Sequence, residues 1–258
     1  MKEKLYTIPL NDAVLADDEC PFCFIERKVE RDLLDFVLGA GSSYMESDIR
    51  DMTDREGFCR RHFKQMFDYG NTLGCGWILK THYLRLIREM EAEFKKHKPE
   101  KGKAAGRGAA FGLSAKAAEP QNHIARWVGE KDASCFICKR FNETFERYMD
   151  TFFVMYKKDA DFRRRIRDSK GFCLSHFGDL CAAAQGKLNE KEQRDFFPEM
   201  FALMEENMAR LQEDVAWLVE KFDYRNTDAD WKHSRDAVQR GMQKIKGGYP
   251  ADPVYKKD

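Results

Sequence analysis

The 258-residue chain carries 45 basic and 44 acidic residues, so it has no global field that would steer it onto nucleic acid or an anionic lipid surface. Apolar side chains make up 43% of it and aromatic ones 13%, enough for a real core in one large domain or two of ordinary size. No run approaches the ~18 consecutive apolar residues of a membrane span, and the first residues do not read as a signal peptide, so the expected location is cytoplasmic.

The first predicted element starts at Cys20-Pro21-Phe22-Cys23. From there Phe22, Ile25, Val29, Leu33 and Phe36 recur at steps of three and four, which places one apolar stripe on one helix face. Gly39 and Gly41 end that helix, and a charged segment from Glu46 to Glu56 leads into Gly57-Phe58-Cys59-Arg60-Arg61-His62-Phe63. A long helix follows, roughly Gly76 to His97, with Leu79, Tyr83, Ile87, Met90 and Phe94 on one side. Residues 98–118 are rich in Lys, Gly and Ala and too poor in large apolar groups to offset ordering, which predicts a flexible linker.

The pattern then starts again. Cys135-Phe136-Ile137-Cys138 begins 115 residues after Cys20 and opens a stripe of Phe141, Phe145, Tyr148, Phe152 and Tyr156. A charged segment from Asp159 to Lys170 precedes Gly171-Phe172-Cys173-Leu174-Ser175-His176-Phe177. The closing helix runs roughly from Glu190 to Asp223, with Phe197, Phe201, Met204, Met208, Leu211, Val215, Leu218 and Phe222 on one side. Strand patterns are scarce. The predicted fold is all-α: two tandem, internally duplicated helical units, 1–97 and 119–226, each stapled by a Cys3His metal site. Residues 227–258 are expected to hold a short helix within Trp231 to Ile245 and a loose tail from Gly247.

Six of the eight cysteines fall in the repeated pattern, and in a reducing cytosol that partition favours metal over disulfides. A CxxC turn lets two thiolates grip one ion, and a helix start favours the thiolate form. In CxxH the two ligands lie on one helix face. Cys59 and His62 are therefore expected to close a tetrahedron opened by Cys20 and Cys23, and Cys173 and His176 one opened by Cys135 and Cys138. Three thiols and an imidazole form the ligand complement of a closed structural zinc site, giving two zinc ions per chain. The separations, 35 residues from Cys23 to Cys59 and 34 from Cys138 to Cys173, exceed the ~15–20 of a zinc ribbon and leave room for a helix. A redox CxxC pair would be expected near a βαβ pattern, and iron–sulfur ligation is the remaining alternative.

Cys75 and Cys181 match no repeat position and read as buried thiols. Arg163, Arg164, Arg165 and Arg167 with Lys170 form a basic cluster that could meet nucleic acid, against the simpler reading of a solvated face balanced by Asp159, Asp161 and Asp168. His82, His97, His123 and His233 lie outside the pattern. Arg225 and Trp231 could grip a ligand just past the last long helix, though a helix-ending turn with a packing Trp explains them as well. Phosphate-loop, dinucleotide, zincin and hydrolase motifs are missing, and no residue is assigned as catalytic.

CPFC, SYMESDIR from Ser43, GFCRRHF, CFIC, GFCLSHF and KFDYRN from Lys221 together resemble a bacterial family of unknown function, over nearly the whole chain apart from the linker and the last residues. The resemblance implies no activity. The leading reading is a cytosolic zinc protein with a binding or adaptor role toward a protein or small molecule. The alternatives are an enzyme using a groove between the repeats, with Arg225, Tyr224 and His82 as polar groups, or a thiol or zinc redox sensor.

Overall fold

The computed structural model describes residues 5–41, 43–97 and 122–248; the predicted linker and the tail from residue 249 lie outside them. Among the described residues every regular element is helical. In chain order these are α1 (Thr7–Leu15), α2 (Pro21–Leu38), α3 (Ser47–Glu56), α4 (Arg60–Tyr69), α5 (Thr72–Lys96), α6 (His123–Ala133), α7 (Phe136–Lys158), α8 (Ala160–Arg167), α9 (Leu174–Lys187), α10 (Glu190–Glu220) and α11 (Ala237–Lys246). No helix among them is long and apolar enough to cross a membrane.

The chain divides into two compact units, and each draws on both halves of the sequence. Of the described residues, one takes those up to Asp32 together with those from Phe141 onward, and the other takes those from Leu33 to Arg140. The cuts fall inside α2 and α7, away from the boundaries expected from the repeat.

In the first unit Phe22, near the start of α2, is almost fully buried among the rings of Phe145, Phe152 and Phe172, with centroids 5.5–5.6 Å away. The α7 stripe continues inward through Phe152, Phe153 and Tyr156, and Phe196 of α10 meets Tyr156 edge-on at 5.1 Å. Asn189 and Glu192 form a capping box that starts α10, and Asp159 accepts from two backbone N–H groups to start α8. Phe162 and Ile166 anchor α8 in the core. Its arginines are all engaged: Arg163 by Glu199 at 2.8 Å, Arg164 by Asp161 at 2.9 Å, Arg165 by Asn11 at 3.0 Å and Arg167 by Glu199 at 4.0 Å.

A buried ionic knot ties α11 to the residue before Cys20. Glu19, 1% exposed, faces Arg210 at 2.5 Å, Lys244 at 3.2 Å and Arg240 at 3.3 Å. Burial alone would raise the Glu19 carboxyl, but Arg210 and Lys244 outweigh it and hold the group below its ordinary value. Lys244 is 1% exposed and donates to the carbonyl oxygens of Glu19 and Lys170 as well. Glu19→Ala strands these cations without their counter-charge, a loss expected to cost about 3–5 kcal/mol in denaturant unfolding. Because the folded carboxyl titrates low, its contribution is complete above the ordinary value of 4.5 and is lost as the pH falls through the lower folded value. The variant should show a correspondingly flatter acid limb.

The core of the second unit gathers Leu34, Val37 and Leu38 of α2 with Ile49, Phe58, Met66, Tyr69, Ile78, Phe136 and Ile137. Here the stripe predicted on α5 is corrected. Tyr83, Ile87 and Phe94 are 58%, 44% and 54% exposed. The face α5 turns to α3 is instead set by Ile78, Thr81, His82 and Arg85, again at helical spacing. Thr81 donates to the Asp54 carboxylate at 2.6 Å, His82 Nδ1 to the Asp54 carbonyl at 2.9 Å, and Arg85 to Asp51 at 3.1 Å. A partly polar seam hid the true face from a search for apolar periodicity. Phe36, the last member of the α2 stripe, is likewise 42% exposed while Val37 and Leu38 are buried.

Candidate metal centres

All eight predicted ligands come together as two sets of four, but not in the expected pairs. Cys20 and Cys23 meet Cys173 and His176; Cys135 and Cys138 meet Cys59 and His62. In each set the candidate ligand atoms lie within 4.8 Å of one another. The expectation that each half closes its own site is therefore wrong. The chain passes from one unit to the other within α2 and again within α7. α2 begins at its own thiol pair and carries the chain ~27 Å along its axis over 18 residues before the GFC element of its half can follow. The 23 residues of α7 do the same over ~34 Å. Each GFC element thus arrives in the unit that holds the start of the other half's helix. Each set of four lies wholly inside one unit.

Local geometry explains the spacing within each pair. Cys59 and Cys173 stand at the N-caps of α4 and α9, and Cys20 and Cys135 directly precede α2 and α7. The partner ligand follows three residues later, in the first turn. Each set therefore sits between two helix N-termini, whose amides favour thiolate. Cys173 Sγ accepts from the His176 N–H and Cys135 Sγ from the Cys138 N–H, both at 3.4 Å. Gly57 and Gly171, at φ +63° and +73°, supply the left-handed turn that brings the following Phe and Cys inward. In the second unit the Phe136 N–H donates to the Gly57 carbonyl at 2.9 Å, tying the two strings directly. The matching position in the first string is Pro21, which has no N–H to give.

The fit to a metal can be tested on the edges of each tetrahedron. Bond lengths of about 2.3 Å to sulfur and 2.0–2.1 Å to nitrogen require S···S edges of about 3.8 Å and S···N edges of about 3.5 Å. In the first set Cys23 and Cys173 are 3.7 Å apart, and His176 Nδ1 lies 3.2, 3.4 and 3.5 Å from the sulfurs of Cys173, Cys20 and Cys23. In the second, Cys59 and Cys138 are 3.8 Å apart, and His62 Nδ1 lies 3.2, 3.2 and 3.3 Å from the sulfurs of Cys59, Cys135 and Cys138. A disulfide would need about 2.05 Å. Both sets can hold a metal ion.

The donor atoms of each set compete for protons. Hydrogen bonds from Cys20 and Cys23 hold the Cys173 thiol far below its ordinary range, and Cys173 and Cys20 push Cys23 up in turn. Burial works against a charged His176, yet Cys173, Cys20 and Glu26 outweigh it and raise the imidazole to about 12. Burial likewise raises Cys135, but the His62 ring and two backbone N–H groups bring it to about 6. Burial with Cys135 and Cys59 pushes Cys138 up to about 12. Each cluster keeps one stabilised thiolate and crowds protons onto its neighbours; a divalent cation neutralises the set and displaces those protons.

Three supporting residues were not anticipated. Glu26 faces His176 Nε2 at 3.2 Å, the carboxylate partner that orients a metal-bound imidazole. It lies three residues after Cys23, so the i,i+3 rule could have found it. Gly247 was expected to open a loose tail. Instead a Cβ there would lie 3.3 Å from Cys173 Sγ and 3.7 Å from Cys23 Sγ, and its φ of +72° suits only glycine. Its place after the basic end of α11 signals a helix stop, not a metal site. Lys244 closes the same side through Glu19.

A profile described as "Family of unknown function (DUF6062)" matches residues 1–252. The chain belongs to this family. No curated protein and no solved structure matches it. In this member of DUF6062, Tyr224 is 85% exposed and Arg225 is engaged by Asp223 at 2.6 Å. Trp231 packs under Lys221, which donates to three carbonyl oxygens of the turn after α10. That segment is a helix-ending turn held by its own ammonium group. His97 stacks on His123 with centroids 5.6 Å apart. Cys75 and Cys181 are partly buried, and burial raises both thiols.

Proposed function

We propose that both clusters hold zinc(II) as structural centres and that the protein acts by binding a partner rather than by metal catalysis. The tetrahedral edge lengths carry this reading. Four protein donors fill the coordination sphere of each ion, which is the hallmark of a structural site. The mixed soft thiolate and imidazole set suits zinc among divalent ions. None of the eight cysteines is paired in a disulfide, which is compatible with a reducing compartment. Support for a binding role comes from α5, whose exposed Tyr83, Ile87 and Phe94 share one face at steps of four and seven. Elemental analysis of protein purified without added metal is expected to give two zinc per chain. Markedly less zinc, or stoichiometric iron in its place, would remove the reading.

A further inference from the structure

The two ligand sets are not equally enclosed. Cys20, Cys23, Cys173 and His176 are all buried, and Gly247 lies over the sulfurs of Cys173 and Cys23. In the second set His62 and Cys135 are buried, but Cys59 and Cys138 are partly exposed. Cys59 also lines a cleft of about 430 Å³, walled by His82, Leu86, Met90, Trp127 and Val128. Water occupies about 30 Å³, so a small peroxide enters such a space freely. The sulfurs of these two partly exposed residues are 3.8 Å apart. An oxidised Cys59 therefore has a second thiol already in contact.

We propose that Cys59 is a peroxide-modification site, that Cys138 resolves it, and that the second cluster alone discharges its metal. The inference rests on the zinc reading above. The Cys59 thiolate attacks one peroxide oxygen: an S–O bond forms, the O–O bond breaks and hydroxide leaves, giving a sulfenic acid. The Cys138 thiolate then attacks the Cys59 sulfur, forming S–S, breaking S–O and releasing a second hydroxide. Two electrons pass from the thiolate pair to the peroxide. Cys135 and His62 remain as the only ligands, and a two-ligand site does not retain zinc. A dithiol reductant returns both thiols. Access separates the clusters, because oxidation follows exposure as well as thiolate character.

The test uses the full chain, with zinc counted before and after limiting hydrogen peroxide. A metallochromic indicator reads release, and mass spectrometry after alkylation maps each cysteine. One zinc per chain should leave, with a disulfide joining Cys59 and Cys138, while Cys20, Cys23 and Cys173 are recovered alkylated. Dithiothreitol and zinc should restore the starting content. Leu86→Trp, which narrows the cleft, should slow release severalfold, its zinc content and circular dichroism beforehand reporting that it folds. The inference falls if both ions leave at one rate, if neither leaves, if Cys20, Cys23 or Cys173 oxidises first, or if folded Leu86→Trp releases as fast as the parent. A protein that starts without zinc fails the metal reading and takes this inference with it; one that starts with two and gives any of those outcomes fails this inference alone.

Discussion

Chelation of the metal-loaded protein is expected to abolish its cooperative thermal transition and most of its helical signal. Structural zinc contributes on the order of 10–16 kcal/mol of apparent binding free energy at neutral pH. A domain has only about 5–15 kcal/mol of net stability, so the loss of one ion is enough to unfold a unit. The location of the clusters makes this loss hard to absorb. The Phe22 ring lies tilted 5.7 Å from His176, and Phe145 stacks 5.3 Å from the same ring, so the first ligand set is continuous with the aromatic core. Cys135 is part of the second unit's core with Phe58 and Phe136. Without a cation only the imidazole and the neighbouring thiols are left to balance each buried thiolate, and the two helix starts around each cluster lose their common anchor. Far-UV circular dichroism and calorimetry before and after chelator, with zinc added back, check this. Full retention of the helical signal and of the transition would mean that packing alone specifies the fold.

The crossed pairing has consequences of similar size, because it makes each unit depend on ligands far apart in sequence, 150 residues between Cys23 and Cys173 in the first and 79 between Cys59 and Cys138 in the second. It also shows where sequence reading stops. Ligand identity was legible because CxxC and CxxH put two donors on one turn, a strictly local property. Which pair meets which was not, since both CxxH strings offer the same donors and nothing local to either distinguishes them. The helices themselves were readable wherever one face is uniformly apolar, as from Phe22 to Val29 and from Tyr148 to Tyr156. The α5 face was misplaced because its buried side carries Thr81, His82 and Arg85, polar groups satisfied by α3. The basic cluster on α8 was expected to be balanced by nearby aspartates, but its main partner is Glu199, 36 residues from Arg163 and visible only once α10 packs against α8. Gly247 and Lys244 escaped notice for the same reason: their roles exist only when α11 reaches the first ligand set.

The pairing is tested most directly by counting zinc in two double variants held against a competing chelator. Cys20→Ser with Cys173→Ser removes two ligands from one cluster and should leave one tightly held zinc per chain. Cys20→Ser with Cys59→Ser removes one ligand from each cluster and should leave none. The reverse result, no zinc in the first variant and one in the second, would mean that each half of the sequence closes its own site.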